Sequence, residues 1–276
     1  MYNNNDDNIN KYKSINYNGR IIKTTAGDIY ELSDELSVDR QNKVIIKNGY
    51  QTDENLKLSD GDIVTIIQKG VMPDEEQLKE MMRARHTPGV YDTVKDAKVV
   101  IMGLGGLGSN IAIMLARTGV GHLKLVDFDI VEPSNLNRQQ YSIAQLGKRK
   151  TDALKEIIDQ INPFLDIKTE FVRVTEENIL SITDGYDIVC EAFDRPDAKV
   201  MLTQCILSQT DKVLIAASGM AGIEDSNTVK TRKVTDRFYV CGDGMTEAKE
   251  GRGLMAPRVT ICAAHQANAV LDVIIK

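Results

Sequence analysis

The sequence carries no excess of positive charge. Its 34 lysines and arginines are outnumbered by 40 aspartates and glutamates, for a formal net charge of -6 and a pI of about 5.3. No global basic field recruits nucleic acid or anionic lipid, so neither is expected as a partner. Long apolar runs are absent: none approaches the roughly 18 residues that a membrane span needs. Met1 to Asn10 is polar and rich in Asn and Asp, without the basic and apolar regions of a signal peptide. Paired cysteines are missing as well. Cys190, Cys205, Cys241 and Cys262 are scattered and form no CxxC. Such usage fits a reducing compartment and buried structural thiols, and the expected location is the cytoplasm.

What remains is ordinary globular material, 42% hydrophobic and 27% charged over 276 residues. That length exceeds one typical domain and suggests a large unit plus a small one. Residues 1–13 read as a disordered tail, too polar to offset the entropy of ordering. From Ser14 the pattern changes. Ser14 to Tyr17 and Ile21 to Thr24 flank Asn18-Gly19, a strong hairpin signal. Asp28 caps a short helix with Ile29, Leu32 and Leu36 on one face. Strands follow at Lys43 to Lys47, turned by Asn48-Gly49, and at Ile63 to Gln68 after Asp60-Gly61. This order of elements is that of a β-grasp, ubiquitin-like unit over residues 14–71, one of several small α+β domains that share it.

A charged helix (Asp74 to Arg85) leads through Pro88-Gly89 into a segment that alternates strands and helices. Strands are expected at Lys98 to Met102, Leu123 to Val126, Ile167 to Val172, Asp187 to Glu191 and Lys212 to Ala216. Helices are expected at Ser109 to Thr118, Lys148 to Ile161, Glu176 to Ile182, Asp197 to Ser208 and Val259 to Ile275. Such alternation specifies an α/β fold with a mainly parallel sheet covered on both faces. No internal repeat is present.

Val99 to Met102 runs into Gly103-Leu104-Gly105-Gly106-Leu107-Gly108 and then a helix. Glycines allow a tight turn and close approach to a phosphate, whose charge sits at the positive end of the helix. The second strand ends in Val126-Asp127-Phe128-Asp129, about twenty residues on, where an acidic side chain meets a ribose hydroxyl. Both features fit a dinucleotide and ATP equally, and a structural turn or cap remains open for each. Asn135-Leu136-Asn137-Arg138-Gln139 and Gly147-Lys148-Arg149-Lys150 separate the two. Hydride transfer needs no cations beside the pyrophosphate, whereas attack at the α-phosphorus of ATP does. Arg138 and Lys150 supply them, and Asn135 and Gln139 offer hydrogen bonds to ribose or phosphate. Asp194 stands past Ile188 to Phe193, at the carboxyl end of a buried strand. Ligands bind there in open parallel sheets, and one carboxylate plus phosphates is a normal Mg2+ arrangement.

In this order, GLGGLG, DFD, NLNRQ, Lys150 within GKRK, Asn162-Pro163 and Asp194 resemble the ThiF/MoeB/HesA family of adenylyltransferases, relatives of ubiquitin-activating enzymes. The resemblance spans Arg83 to the C-terminus. It implies a Rossmann-like ATP-binding domain over residues 72–276 that adenylates the C-terminal glycine of a carrier protein, releasing pyrophosphate. By position it implies ATP contacts at Gly103, Gly105, Gly106, Asp127, Asp129, Asn135, Arg138, Gln139 and Lys150, with Mg2+ on Asp194. It also implies a homodimer in which Arg85, within Arg83-Ala84-Arg85-His86, reaches the partner's nucleotide. Residues 14–71 resemble the sulfur carrier ThiS, notably in Leu58 to Val64. That tilts the reading toward a ThiS-like carrier and thiamine-type sulfur transfer.

Three departures matter. Many members of the family bind zinc through two CxxC pairs; none exists here, so no zinc is expected. The segment Glu250 to Pro257 lacks the cysteine that some members use for thioester or acyl-disulfide chemistry, which leaves Cys241 as the fallback. The carrier-like segment runs through Lys69-Gly70 into Val71, where a carrier would end at Gly-Gly. His86, His122 and His265 read as packing or capping residues. Rival readings are an NAD-dependent oxidoreductase, a tRNA-directed dehydratase, and a non-catalytic scaffold with the β-grasp segment docked in its own carrier groove.

Overall fold

A computed structural model describes residues 12–39, 41–86 and 89–276. The tail reading of residues 1–13 lies outside the described residues except at Tyr12 and Lys13, and Lys13 already opens the first strand. The chain divides after Asp92 into two compact units.

In the first unit β1 (Lys13–Tyr17) and β2 (Arg20–Thr24) form an antiparallel hairpin. Asn18 and Gly19 turn it with φ of 45° and 80°, the left-handed geometry that suits a twisted two-residue hairpin. The side chain of Asp28 accepts the N–H groups of Tyr30 and Glu31 and so caps α1 (Ile29–Glu35). A second Asn-Gly turn joins β3 (Lys43–Lys47) to β4 (Tyr50–Thr52), a short strand that the sequence reading left out. With β5 (Ile63–Gln68) the sheet order is β2-β1-β5-β3-β4, and the central pair β1 and β5 is parallel. Ile15, Ile45, Val64 and Ile66 bury one face of the sheet against Ile29 and Leu32 of α1. The sheet residues between them, Ile46, Thr65 and Ile67, are also buried although they face away from α1. Helix α2 (Glu75–His86) packs on β3, β4 and β5 and so folds with this sheet. The short α3 (Val90–Val94) follows.

The second unit carries a seven-stranded sheet. Its strands are β6 (Lys98–Met102), β7 (His122–Asp127), β8 (Asp166–Phe171), β9 (Ile188–Glu191), β10 (Val213–Ala217), β11 (Lys230–Thr235) and β12 (Phe238–Gly242). The order is β11-β12-β10-β9-β6-β7-β8, parallel except for the antiparallel edge strand β11. Its helices are α4 (Gly106–Arg117), α5 (Lys150–Asp159), α6 (Ile179–Thr183), α7 (Pro196–Gln209) and α8 (Ala256–Ile275). One apolar cluster joins Val100, Val189 and Leu214 of the sheet to Ile179 and Ile182 of α6 and to Leu202 and Ile206 of α7. Helices α4 and α8 pack on each other, and α8 also packs on β10, β11 and β12. Among the described residues, no helix is long and apolar enough to cross a membrane.

Register places the site. Met102 pairs with Val126 on one side and with Glu191 on the other, so β6, β7 and β9 end at one level. The glycine turn, Asp127 and the turn after Glu191 therefore line the same carboxyl edge.

Candidate functional site at the carboxyl edge of the parallel sheet

Gly103 leaves β6 with φ +90°. A Cβ there would lie 2.9 Å from the Ala192 carbonyl oxygen, so only glycine lets the two strand ends approach this closely. A Cβ on Gly108 would fall 1.8 Å from the Gly103 carbonyl oxygen, which packs α4 tightly on its own turn. Gly105 occupies the N-cap of α4 and has no side chain to cap it.

Asp127 ties this turn to β7. Its carboxylate accepts the Leu104 N–H at 2.6 Å and the Asp129 N–H at 2.8 Å. Burial lifts this carboxyl above its ordinary range and outweighs the opposing effects of Lys150 and the two N–H groups. Tyr141, which the sequence reading passed over, locks the turn from outside: its hydroxyl donates to the Leu104 carbonyl at 2.9 Å.

Arg138 and Gln139 lie against the glycines. A Cβ on Gly106 would come 3.4 Å from Arg138 Cγ, and one on Gly105 would come 3.9 Å from Gln139 Nε2. Arg138 donates to the Ser134 carbonyl at 3.2 Å and to Asn137 Oδ1 at 2.8 Å. Gln139 is buried, and its Oε1 has no hydrogen-bond partner among the described residues. Asn135 is employed locally: its carboxamide oxygen accepts the Glu132 N–H at 3.0 Å in a 3-10 turn.

Lys150 opens α5 and is buried, with Nζ 3.0 Å from Asp129 Oδ2. Gly103, Gly105, Gly106, Asp127, Arg138 and Gln139 thus gather at one turn, with Asp129 and Lys150 paired beside it. Asp194 lies past β9, exposed, without a side-chain hydrogen bond or ion pair among the described residues. Arg85 belongs to the other unit, where it is exposed on α2 while its neighbour Arg83 is held by Glu80 and Asp92.

Two further observations bear on the cysteines and histidines. Cys241 is fully buried at the end of β12, and burial pushes its thiol up to about 11. A thiol in that state is a poor nucleophile, so the fallback assignment of sulfur chemistry to Cys241 has no geometric support. His122 bonds Asp166 and His265 bonds Thr231, each through Nδ1 at 2.9 Å. Among the described residues no group of three or more His, Cys, Asp or Glu could hold a metal ion.

A nucleotide-binding α/β unit of the type that holds phosphates at a glycine turn is what this edge defines. Comparison with known proteins gives the family. The ThiF family model matches residues 77–276, and the ThiS-like ubiquitin model matches residues 14–70. Molybdopterin-synthase adenylyltransferase of Haemophilus influenzae is 33% identical over 192 residues, which cover 67% of this chain and 77% of that protein. The Salmonella typhimurium enzyme of the same name is 30% identical, with 66% and 75% covered. The adenylyltransferase and sulfurtransferase UBA4 of Candida glabrata is 29% identical over 85% of this chain, but the match spans only 54% of that longer protein. Among solved structures, Escherichia coli tRNA N6-threonylcarbamoyladenosine dehydratase, TcdA, solved in complex with ATP, superposes with a TM-score of 0.64 at 22% identity. That match covers 74% of this chain and 96% of TcdA, and speaks for the fold alone. The chain belongs to the ThiF family.

Proposed function

We propose that this protein is an MgATP-dependent adenylyltransferase that activates the C-terminal glycine of a ubiquitin-like sulfur carrier. The observation that carries this reading is the approach of Arg138 and of the Gln139 Nε2 donor to the glycine turn, which brings a guanidinium and a carboxamide N–H beside the proposed phosphate position. Hydride transfer does not require that cation, whereas departure of pyrophosphate from ATP does.

The residues present fit MgATP. Gly103 and Gly106 let the turn pack closely on Ala192 and Val259, Asp127 is fixed at the end of β7 by the Leu104 N–H, and among the described residues the Asp194 carboxylate makes no hydrogen bond or ion pair. Asp194 would hold Mg2+, which when bound neutralises charge on the phosphate oxygens. The carrier's terminal carboxylate attacks the α-phosphorus, an acyl-adenylate forms, and pyrophosphate leaves. No side-chain nucleophile is needed. Arg138 and Lys150 hold the developing charge, and the glycine turn and the α4 N-terminus orient the phosphates. In the homodimer we propose, Arg85 serves the partner's nucleotide.

The ThiS-like match within this chain favours a ThiS-like carrier and thiazole formation for thiamine over the molybdopterin carrier suggested by the relatives' names. The location we propose is the cytoplasm. Pyrophosphate exchange into ATP with purified ThiS-like and molybdopterin-type carriers tests both levels. Exchange with neither carrier, together with a rise in melting temperature caused by NAD and not by ATP, overturns the reading in favour of the oxidoreductase.

A further inference from the structure

The turn that bears Asp194 is held by a buried ion pair eight residues across. Glu191, the last residue of β9, is 1% exposed at its side chain, and Lys199 on the first turns of α7 reaches it at 2.9 Å. The carboxylate does more than meet its cation. Oε1 accepts the Phe193 N–H at 2.7 Å, from the residue next to Asp194, and Oε2 accepts the Ala217 N–H at 3.4 Å. Lys199 also donates to the Ala217 carbonyl at 3.1 Å. The pair thus closes a loop from the end of β9, past Asp194, to the start of α7, and stitches that loop to the end of β10.

The remaining sides of the turn are fixed as well. Gln266 of α8 donates to the Glu191 carbonyl at 2.9 Å, and the Ala192 N–H donates to Met102 at 2.9 Å. Gly103 packs so closely on Ala192 and the Phe193 ring that no Cβ fits between them. Among the described residues the exposed Asp194 side chain makes no hydrogen bond or ion pair. Taking two charges out of water costs several kcal/mol per ion, so a buried pair is weak evidence of stability for its own sake. Its geometry here suits another task.

We propose that Glu191 and Lys199 are positioning residues that fix the Asp194 carboxylate toward the nucleotide-bound divalent cation. This rests on the adenylyltransferase reading given above. Outer residues that orient a metal-binding group typically change metal affinity by about 10- to 100-fold when removed. In this proposal both residues act through Asp194 and are positioning rather than catalytic residues.

The test uses the full chain and measures ATP affinity calorimetrically with Mg2+ and with a chelator, beside the melting temperature. Lys199→Met should lose about tenfold of the gain in affinity that Mg2+ confers, while affinity in chelator stays within about twofold. Lys199→Arg, which can still meet Glu191 and the Ala217 carbonyl, should recover most of the gain. Glu191→Gln keeps the shape of the turn and serves as the second variant if Lys199→Met does not fold; it should show the same selective loss. An undiminished Mg2+ gain in a folded variant overturns the positioning role and leaves the adenylyltransferase reading intact. Equal losses with and without Mg2+ overturn it too, since they indicate a general packing defect. A wild-type protein whose ATP binding gains nothing from Mg2+ defeats both readings.

Discussion

Lys150 extends its ammonium to the Asp129 carboxylate at 3.0 Å while its backbone N–H donates to the Asp129 carbonyl at the same distance. The cation proposed to meet phosphate is therefore buried against an acid that is itself half exposed. An incoming phosphate competes for a cation already desolvated, which strengthens the interaction once made. Lys150→Met should lower carrier-dependent pyrophosphate exchange by on the order of 100-fold. Asp129→Asn should lower the melting temperature more than it lowers exchange, because it strands a buried charge but leaves the cation in place. Unchanged exchange in folded Lys150→Met contradicts the assignment.

Arg258, at the start of α8, binds the Asp243 carboxylate at 2.6 Å, the carbonyls of Glu224 and Asp225, and the Thr228 hydroxyl. It staples two loops at the carboxyl edge to α8. Burial alone would raise the Asp243 carboxyl, but the Thr246 hydroxyl and N–H, the Met245 N–H and Arg258 hold it well below the ordinary carboxylate range. A carboxyl depressed in the folded state stabilises fully above its unfolded value of about 3.9 and loses that stabilisation as pH falls toward the folded value. Asp243→Asn should cost about 3 kcal/mol at pH 7, the scale for breaking a buried pair. Its penalty should shrink as pH drops below about 4. Chemical denaturation at pH 7 and pH 3 measures both; an equal penalty at the two values refutes the linkage.

The burial of Cys241 predicts that it resists iodoacetamide in the native protein and reacts on unfolding, since at pH 7 only about one thiol in ten thousand with that shift is ionised. We also expect purified protein to hold no stoichiometric zinc. Metal analysis finding about one zinc per chain, lost on Cys241→Ser, overturns that expectation.

How much of this was legible in the sequence depends on how local each signal is. The Asn-Gly turns and the Asp28 cap act within four residues and read directly. The glycine turn and Asp127 read through their spacing. Strand β11 escaped because all six of its residues, Lys230 to Thr235, are exposed at the sheet edge, so no apolar alternation marks it. Helix α2 reads as a charged connector, yet it packs on the small sheet, a long-range outcome that its own residues do not announce. Asn135 carries a polar side chain that serves a phosphate or a 3-10 turn equally well on paper, and only geometry reveals the turn. Glu191 and Lys199 look like unrelated charges until β9 and α7 fold together.

The β-grasp segment should not be its own substrate. After Gly70 the chain continues by a peptide bond into Val71 and α2, and an amide carbonyl cannot attack ATP as a carboxylate does. Mass spectrometry after incubation with MgATP should find no acyl-adenylate on Gly70; its presence on a fragment ending there contradicts this. Because α2 packs on the small sheet, deletion of residues 1–71 should leave activity toward an added carrier but expose α2.

The most direct test of the proposed activity is pyrophosphate exchange into ATP, measured with a purified ThiS-like carrier in Mg2+, for wild type, Arg138→Ala and Asp194→Asn. Carrier-dependent exchange should appear in the wild type and fall by on the order of 100-fold or more in each variant, with melting temperatures close to wild type. Exchange that is absent from the wild type with every ubiquitin-like carrier, or undiminished in both variants, contradicts it.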